Sequence, residues 1–211
     1  MIRILIADDH NIVRSGLKQI VSTDKDMEVV GEAGQGSEVL SKLQQGGIDL
    51  LLTDLSMPGI CSLDLIHRAR AEAPKVPIIV LSMHNESQLV SRVLRAGAAG
   101  YVDKGSDPAT LLAAIRKVAM GGRFIDPSLV DGIVFGTLEE APPHAVLSDR
   151  EYEVLQLLNR GLSLTEIGSK LFVSAKTVST HKARMMQKLG IDNNADLVRY
   201  ALKHGMPTKT P

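Results

Sequence analysis

The sequence predicts an N-terminal α/β domain with a doubly wound, five-stranded parallel sheet, followed by a smaller all-α domain of four helices. Three observations lead to this prediction. Residues 1–122 alternate aliphatic strand patterns with helical patterns five times, a stretch interrupted by Gly and Pro follows, and residues 147–211 carry only helical patterns. Repeated βα units indicate a parallel sheet, for which 2-1-3-4-5 is the common small strand order.

The strands are predicted from short aliphatic runs that lack polar alternation, which is typical of strands buried on both faces. They cover Ile2–Ala7, Met27–Ala33, Asp49–Thr53, Pro77–Leu81 and Ala99–Val102. Helical periodicity fills the intervals between them. The predicted helices lie near Ile12–Ser22, Ser37–Gln45, Ser62–Glu72, Glu86–Ala96 and Pro108–Met120.

Residues 123–146 are predicted to be a linker, because Gly and Pro leave only one short helical pattern, around Ser128–Phe135. The predicted domains are therefore 1–122 and 147–211. Two helices of the second domain begin with capping boxes, in which a hydroxyl and a carboxylate three residues apart satisfy the first amide groups. These boxes are Ser148 with Glu151 and Ser163 with Glu166.

The formal net charge of zero is a cancellation between the C-terminal domain and the rest of the chain. Residues 147–211 hold ten Lys and Arg against six Asp and Glu, a net charge of +4, which favours a polyanionic partner. The single cysteine, Cys61, excludes an intrachain disulfide and fits a reducing compartment. Since no apolar run is long enough to span a bilayer, we expect a cytoplasmic protein with no membrane partner.

Polar residues stand where four of the predicted strands end. They are Asp8, Asp9, Asp54, Ser82 and Lys104. A parallel sheet brings such positions to one edge, which is where open α/β sheets bind ligands. Three carboxylates without a Cys or His partner suit Mg²⁺ better than zinc, and Lys104 can contact a phosphoryl oxygen. The six histidines are too scattered to predict a metal site.

Five sequence motifs occur in order along the first predicted domain, and together they resemble those of a known family. They are Ala7-Asp8-Asp9-His10, Val13-Arg14-Ser15-Gly16-Leu17, Thr53-Asp54-Leu55-Ser56-Met57-Pro58-Gly59, Leu81-Ser82-Met83-His84 and Gly100-Tyr101-Val102-Asp103-Lys104. In this order and spacing they resemble the CheY-like receiver half of LuxR/FixJ-type (NarL-type) two-domain response regulators of bacterial two-component systems. Where the family often has Asp-Gly after Met-Pro-Gly, this chain has Ile60-Cys61-Ser62, so the conformation of that loop is not carried over.

The resemblance implies that Asp54 accepts a phosphoryl group from a sensor histidine kinase. It also implies that Asp8, Asp9, Asp54 and the backbone carbonyl of Ser56 hold Mg²⁺. Ser82 and Lys104 would then contact the phosphoryl group and Tyr101 would act as the switch residue. Ser56 and His84 occupy positions that in this family border the path of the hydrolytic water.

The second domain resembles a LuxR-type helix-turn-helix. The motifs are Leu147 to Leu155, Thr165-Glu166-Ile167-Gly168 and Val173 to His181, with a recognition helix at Lys176–Leu189. We expect phosphate contacts from Lys176, Thr177, His181, Lys182 and Lys188, and base contacts from Ser179, Thr180, Ala183 and Arg184. Gly168 replaces the Ala common in the family, at a helix cost of about 0.5–1 kcal/mol.

These patterns predict a phosphorylation-controlled transcription regulator that binds double-stranded DNA as a homodimer. One alternative is a Mg²⁺-dependent phosphohydrolase, but such enzymes place a second Asp two residues after the nucleophile, where this chain has Ser56. We therefore expect no enzyme. A second alternative, a constitutive DNA-binding protein whose receiver only dimerises, stays open at this point.

Overall fold

The computed structural model describes residues 1–55, 57, 60, 62–83, 87–130, 147–204 and 206, with backbone only at 62, 88 and 149. The chain forms two compact units, Met1–Leu138 and Glu139–Pro211. The predicted division into an α/β half and a helical half is confirmed. The exact boundaries of the linker stay a prediction.

The first unit is built on a parallel sheet of order β2-β1-β3-β4-β5-β6. The strands are β1 (Ile2–Ala7), β2 (Met27–Ala33), β3 (Leu50–Asp54), β4 (Ile78–Ser82), β5 (Gly100–Asp103) and β6 (Phe124–Ile125). Every residue of β3 and β4 is buried, as the uninterrupted aliphatic runs predicted. Their register pairs Asp54 with Leu81 and Ser82 with Asp103, so these strands end level with one another.

Five helices cover the two faces of this sheet, as expected of a doubly wound fold. They are α1 (Asn11–Ser22), α2 (Gly36–Gln45), α3 (Ser62–Glu72), α4 (Ser87–Arg95) and α5 (Pro108–Ala119). On one face, Leu17 of α1 and Ile115 of α5 pack with Ile6 and Leu52 of the sheet in one hydrophobic core. Helix α5 begins at Asp107, whose carboxylate accepts a hydrogen bond from the Thr110 amide at 2.8 Å.

The sheet confirms the predicted order 2-1-3-4-5 and carries a sixth, two-residue strand beyond it. Phe124 pairs with Gly100 and Ile125 pairs with Tyr101, so the sheet continues into the segment taken for linker. The sequence signal was hidden because this strand is only two residues long and lies between Gly122 and Pro127. A helical turn follows at residues 127–130, and the rest of the helix predicted around Ser128–Phe135 lies outside the described residues.

The second unit contains the four predicted helices. They are α6 (Asp149–Asn159), α7 (Leu164–Leu171), α8 (Ala175–Leu189) and α9 (Asn194–Lys203). Both capping boxes are formed, with the Ser148 and Ser163 hydroxyls accepting from the amides of Glu151 and Glu166. Among the described residues, no helix of either unit is long and apolar enough to cross a bilayer.

The turn between α7 and α8 explains the glycine at position 168. Phe172 ends α7 in the left-handed conformation, with φ of 54°, and turns the chain back so that Val173 packs against Gly168. A Cβ atom on Gly168 would lie 2.8 Å from the Val173 carbonyl oxygen. Glycine is therefore favoured at position 168 because there is no room for a Cβ atom. This effect outweighs the conformational cost of glycine within a helix.

We predict that Ala substitution has opposite effects at two helical glycines. Gly16→Ala in α1 should stabilise the first unit by about 0.5–1 kcal/mol, because nothing lies within 4 Å of the added Cβ. Gly168→Ala should gain nothing, since the methyl group displaces the Val173 carbonyl. Hydrogen exchange of the α1 and α7 amides in the full-length protein measures both effects. Equal stabilisation by the two substitutions would contradict the close approach at Gly168.

Candidate functional site

The register of the parallel strands brings the predicted site residues together in the first unit. Asp8 follows β1, Asp54 ends β3, Ser82 ends β4 and Lys104 follows β5. The Lys104 amide also donates to the Ser82 carbonyl at 3.0 Å, which ties the ends of β4 and β5 together. The predicted convergence at one edge of the sheet is thus observed for these four residues.

The ammonium group of Lys104 lies between two buried carboxylates. Its Nζ is 2.6 Å from Asp8 Oδ2 and 3.1 Å from Asp54 Oδ1, and these two acidic side chains are 1% and 4% exposed. Burial by itself lowers the pKa of Lys104, but the hydrogen bond to Asp8 and the charge of Asp54 raise this pKa by more. Lys104 therefore remains a cation at neutral pH and partly neutralises the pair.

Asp9 and His10 form the outer part of the same cluster. The His10 Nδ1 atom lies 2.8 Å from Asp9 Oδ1 and 3.3 Å from Asp8 Oδ1, and the ligand atoms of all three residues lie within 4.8 Å of one another. The scatter of the histidines along the sequence did not predict this position of His10 beside two of the expected metal ligands. The signal that could have found it is its position directly after Asp8-Asp9.

The loop that carries this cluster is held from α1. The Arg14 guanidinium donates to the Asp8 carbonyl at 2.5 Å and to Glu32 of β2 at 3.3 Å. The Asp8 carboxylate also accepts from the His10 amide at 2.8 Å, which fixes its second oxygen. The sequence motif contains Arg14 but predicts no role for it. Its contacts show that it supports the loop that carries Asp8 and Asp9.

The charges of the cluster suit a hard divalent cation. Asp8, Asp9 and Asp54 contribute three carboxylates, whereas Lys104 is the only Lys or Arg paired with them among the described residues. Carboxylate oxygens are the preferred ligands of Mg²⁺, and two of these groups are too buried to be stabilised by solvent alone. The residues present thus fit the predicted metal.

Ser82 and Tyr101 occupy buried positions next to this cluster. Ser82 is 1% exposed at the end of β4, and Tyr101 is fully buried in β5, where its backbone pairs with Val80 and Ile125. The two remaining predicted receiver residues, Ser56 and His84, lie outside the described residues.

In the second unit, the predicted base contacts lie on the solvent face of the recognition helix α8. Ser179, Thr180, Ala183 and Arg184 are all exposed, whereas Val178 and Met185 point into the core. The helix is capped by Ser174, which accepts from the Thr177 amide at 3.1 Å. An exposed polar face on a capped helix that follows a tight turn can enter the major groove of DNA.

The residues predicted to contact DNA phosphates differ in whether their side chains already have partners within the protein. Lys176 is exposed and has no side-chain partner among the described residues. Lys182 donates to Asn194 at 2.7 Å, and Lys188 forms an ion pair with Glu151 at 2.7 Å. His181 is half-buried, and burial together with the charges of Arg150 and Arg184 lowers its pKa. His181 is therefore neutral near pH 7.

Two charged residues in the first turn of α6, Arg150 and Glu151, bind the ends of the two helices of the helix-turn-helix. Glu151 is 4% exposed and accepts from the Ser148 amide at 2.8 Å as well as from Lys188 at the end of α8. Arg150 donates to the Leu171 carbonyl at 2.8 Å, at the end of α7. The capping-box motif was the available signal for Glu151, but its contact with α8 depends on tertiary packing.

Family models match both halves of the chain. The response regulator receiver domain matches residues 4–116, and the luxR family of bacterial regulatory proteins matches residues 145–201. The response regulator UvrY of Escherichia coli K12 is 35% identical over 98% of this chain and 96% of its own length. The oxygen regulatory protein NreC of Staphylococcus carnosus is 41% identical over 95% of this chain and 97% of its own length.

Solved structures of response regulators are similar along the whole chain. The structure of RcsB from Salmonella enterica serovar Typhimurium, bound to the promoter rprA in the presence of the phosphomimetic BeF₃⁻, is 34% identical in sequence and gives a TM-score of 0.68 over 94% of this chain and 97% of that one. A structure of two RcsB dimers bound to two parallel DNAs gives a TM-score of 0.63 at 33% identity, over 95% of this chain and 98% of that one.

We predict that Glu151→Gln destabilises the second unit by about 1.5–3 kcal/mol, because a charged acceptor for two donors is lost. Burial raises the pKa of Glu151, but the hydrogen bonds from Lys188 and Ser148 lower it by more, so the net shift is downward. The carboxylate therefore stabilises the fold at pH values above the pKa that Glu151 has in the unfolded chain. This contribution is lost as the pH falls through the lower pKa that Glu151 has in the folded protein.

Thermal unfolding of the full-length protein between about pH 3 and pH 7 tests this prediction. The loss of stability on acidification should be smaller in the Gln variant than in the wild type. Glu153→Gln, which removes an ion pair on the same helix that does not reach α8, is the control. An unchanged acid dependence in Glu151→Gln would contradict the assigned role.

Proposed function

The chain belongs to the two-domain response regulators with a receiver and a LuxR-type DNA-binding domain, and from this premise we propose that Asp54 is its phosphoacceptor. A sensor histidine kinase is the proposed donor. The observation that carries the proposal is the position of Lys104, whose ammonium contacts both Asp54 and Asp8 at the edge of the sheet. The phosphoryl group serves as a signal, so we propose no substrate turnover.

We propose that Asp8, Asp9 and Asp54, with the backbone carbonyl of Ser56, hold Mg²⁺. When bound, the cation would neutralise phosphoryl oxygens, which is the main requirement of a loose phosphoryl-transfer transition state. Lys104 supplies a second positive charge to the same oxygens. Its contact with Asp54 then passes to the phosphoryl group, because the carboxylate oxygen becomes part of the acyl phosphate.

The response to this change is proposed to run through Ser82 and Tyr101. The Ser82 hydroxyl, at the end of β4, hydrogen-bonds the phosphoryl group, and Tyr101 in the neighbouring strand takes the inward position that it has in this structure. The receiver is then a two-state element whose equilibrium phosphorylation shifts. Ser56 and His84 are proposed to tune the lifetime of the phosphoryl group, not its attainable extent.

For the second unit we propose binding to double-stranded DNA as a homodimer, with α8 in the major groove. A helix-turn-helix of this size makes few contacts, so two copies on half-sites about 10 base pairs apart are required for useful affinity. Ser179, Thr180, Ala183 and Arg184 read base edges, while Lys176, Thr177, His181, Lys182 and Lys188 contact phosphates. Phosphorylation favours the pairing, which distinguishes this proposal from a constitutive DNA-binding protein.

We predict that acetyl phosphate with Mg²⁺ adds one phosphoryl group to the wild-type protein and none to Asp54→Asn, because only Asp54 combines a strand-end carboxylate with both Lys104 and the metal ligands. Intact mass spectrometry measures the modification. Lys104→Ala is the matched comparison, since it should still be modified but should lose the gain in DNA affinity. Equal modification of the wild type and Asp54→Asn would overturn the assignment.

We predict different salt dependences for two lysines of the same helix. Lys176→Ala should flatten the slope of log affinity against log salt by about one unit, since a free lysine that contacts phosphate displaces condensed counterions. Lys188→Ala should change this slope less and lower the stability of the second unit more, because Lys188 is paired with Glu151. Salt titrations on matched and scrambled duplexes, with thermal unfolding of each variant, measure both effects.

Two further variants complete this experiment. Thr180→Ala and Arg184→Ala should change which sequence is preferred, whereas Lys176→Ala should weaken matched and scrambled DNA alike. If Lys176→Ala keeps the full salt slope, or if neither base-contact variant alters the preference, α8 does not dock as proposed.

A further inference from the structure

Asp126 is a buried carboxylate at the end of β6 that none of the roles assigned above uses. It is 3% exposed, and no Lys or Arg forms an ion pair with it in the described part of the chain. Burying an unpaired carboxylate is costly unless hydrogen bonds replace its hydration. Burial raises the pKa of Asp126, but the Ser106 and Ser128 hydroxyls and nearby amides lower it by more, so the group is ionised at neutral pH.

The two oxygens of this carboxylate have separate partners. Oδ2 accepts from the Ser106 hydroxyl at 2.5 Å and from the Asp103 amide at 3.3 Å. Oδ1 accepts from the Ser128 hydroxyl at 2.7 Å and from the Ser128 amide at 3.1 Å. One oxygen thus binds the loop after β5, and the other binds the helical turn that follows β6.

The loop bound by Oδ2 is the loop that carries Lys104. Asp103 and Ser106 flank this lysine on its two sides, and the Lys104 amide donates to the Ser82 carbonyl at 3.0 Å. The same carboxylate therefore holds the backbone around a residue whose side chain contacts Asp54. Its own backbone continues the sheet, because the Asp126 amide donates to the Tyr101 carbonyl at 2.9 Å.

We propose that Asp126 is a positioning residue that links the Lys104 loop to the chain segment leaving the receiver. When Asp54 is phosphorylated, Lys104 follows the phosphoryl group and the 103–106 loop moves with it. The Asp126 carboxylate passes this movement to Ser128, which lies in the segment predicted to be the linker. This inference rests on the proposed phosphorylation of Asp54, but it concerns residues outside that site.

A simpler role for Asp126 would be to cap the turn at residues 127–130 through Oδ1. The two roles differ at Ser106. If Asp126 only caps the turn, Ser106→Ala does not change how the segment 124–130 responds to phosphorylation of Asp54. If Asp126 links the two segments, Ser106→Ala interrupts the link although the carboxylate and its contacts with Ser128 remain.

The test is hydrogen exchange of the full-length protein with and without acetyl phosphate and Mg²⁺, with the modification of Asp54 followed by intact mass. In the wild type, phosphorylation should change exchange at both 103–106 and 124–130. In Ser106→Ala and Ser128→Ala, Asp54 should be modified to the same extent, but the change at 124–130 should fall by roughly threefold or more. Asp126→Asn should behave similarly, and the two Ser variants decide the matter if it fails to fold.

Asp107→Ala is the matched control, because it removes the cap of α5 beside the same loop without touching Asp126. It should leave the change at 124–130 intact. A DNA duplex is first selected with the phosphorylated wild type, and the affinity of each variant for it is measured with and without acetyl phosphate. The ratio of these two affinities should be high in the wild type and in Asp107→Ala, and lower in Ser106→Ala and Ser128→Ala.

Three outcomes would overturn the inference. They are a full response at 124–130 in Ser106→Ala, an equal loss in Asp107→Ala, and no response there in phosphorylated wild type. In each of these cases Asp54 is still modified, so the proposed function stands. Failure of Asp54 to be modified in the wild type would instead remove the proposed function, and this inference with it.

Discussion

The contact of one ammonium group with two buried carboxylates is the constraint on which the receiver site depends. Asp8 and Asp54 are held within a few ångströms of each other by the register of β1, β3 and β4, and neither can be stabilised by water. Lys104 supplies the opposite charge from the next strand. The contact between Lys104 and Asp54 thus joins the end of β3 to the end of β5.

The second unit solves a different problem, which is to hold a helix rigidly while one of its faces stays exposed. The buried residues of α8 are Val178 and Met185, and its ends are fixed by polar contacts. Ser174 caps the first turn, and Lys188 near the last turn is bound to Glu151. The residues proposed for base recognition, Ser179, Thr180, Ala183 and Arg184, therefore stay exposed on a helix that is fixed at both ends.

The sequence predicted the elements that are long or strongly periodic. The aliphatic runs located β1 and β2 with their observed bounds, and the two capping boxes located the starts of α6 and α7. It missed β6, because two residues carry no periodicity and pair only with a strand already in place. It missed the roles of Arg14 and Asp126 for a related reason. A side chain that binds a loop distant in sequence leaves no local pattern. For Glu151, the sequence predicted the helix cap but not the contact with Lys188.

The order of the strands has a consequence for how this chain folds as it is synthesised. After β1 and β2 have paired, every later strand is added to the same edge of the sheet in the order in which it leaves the ribosome. Growth needs no strand to be inserted between two others, but each stage exposes a hydrophobic edge that could bind another nascent chain. The two-residue strand β6 is the last strand on that edge. This side of the sheet is therefore complete only once residue 125 has been synthesised.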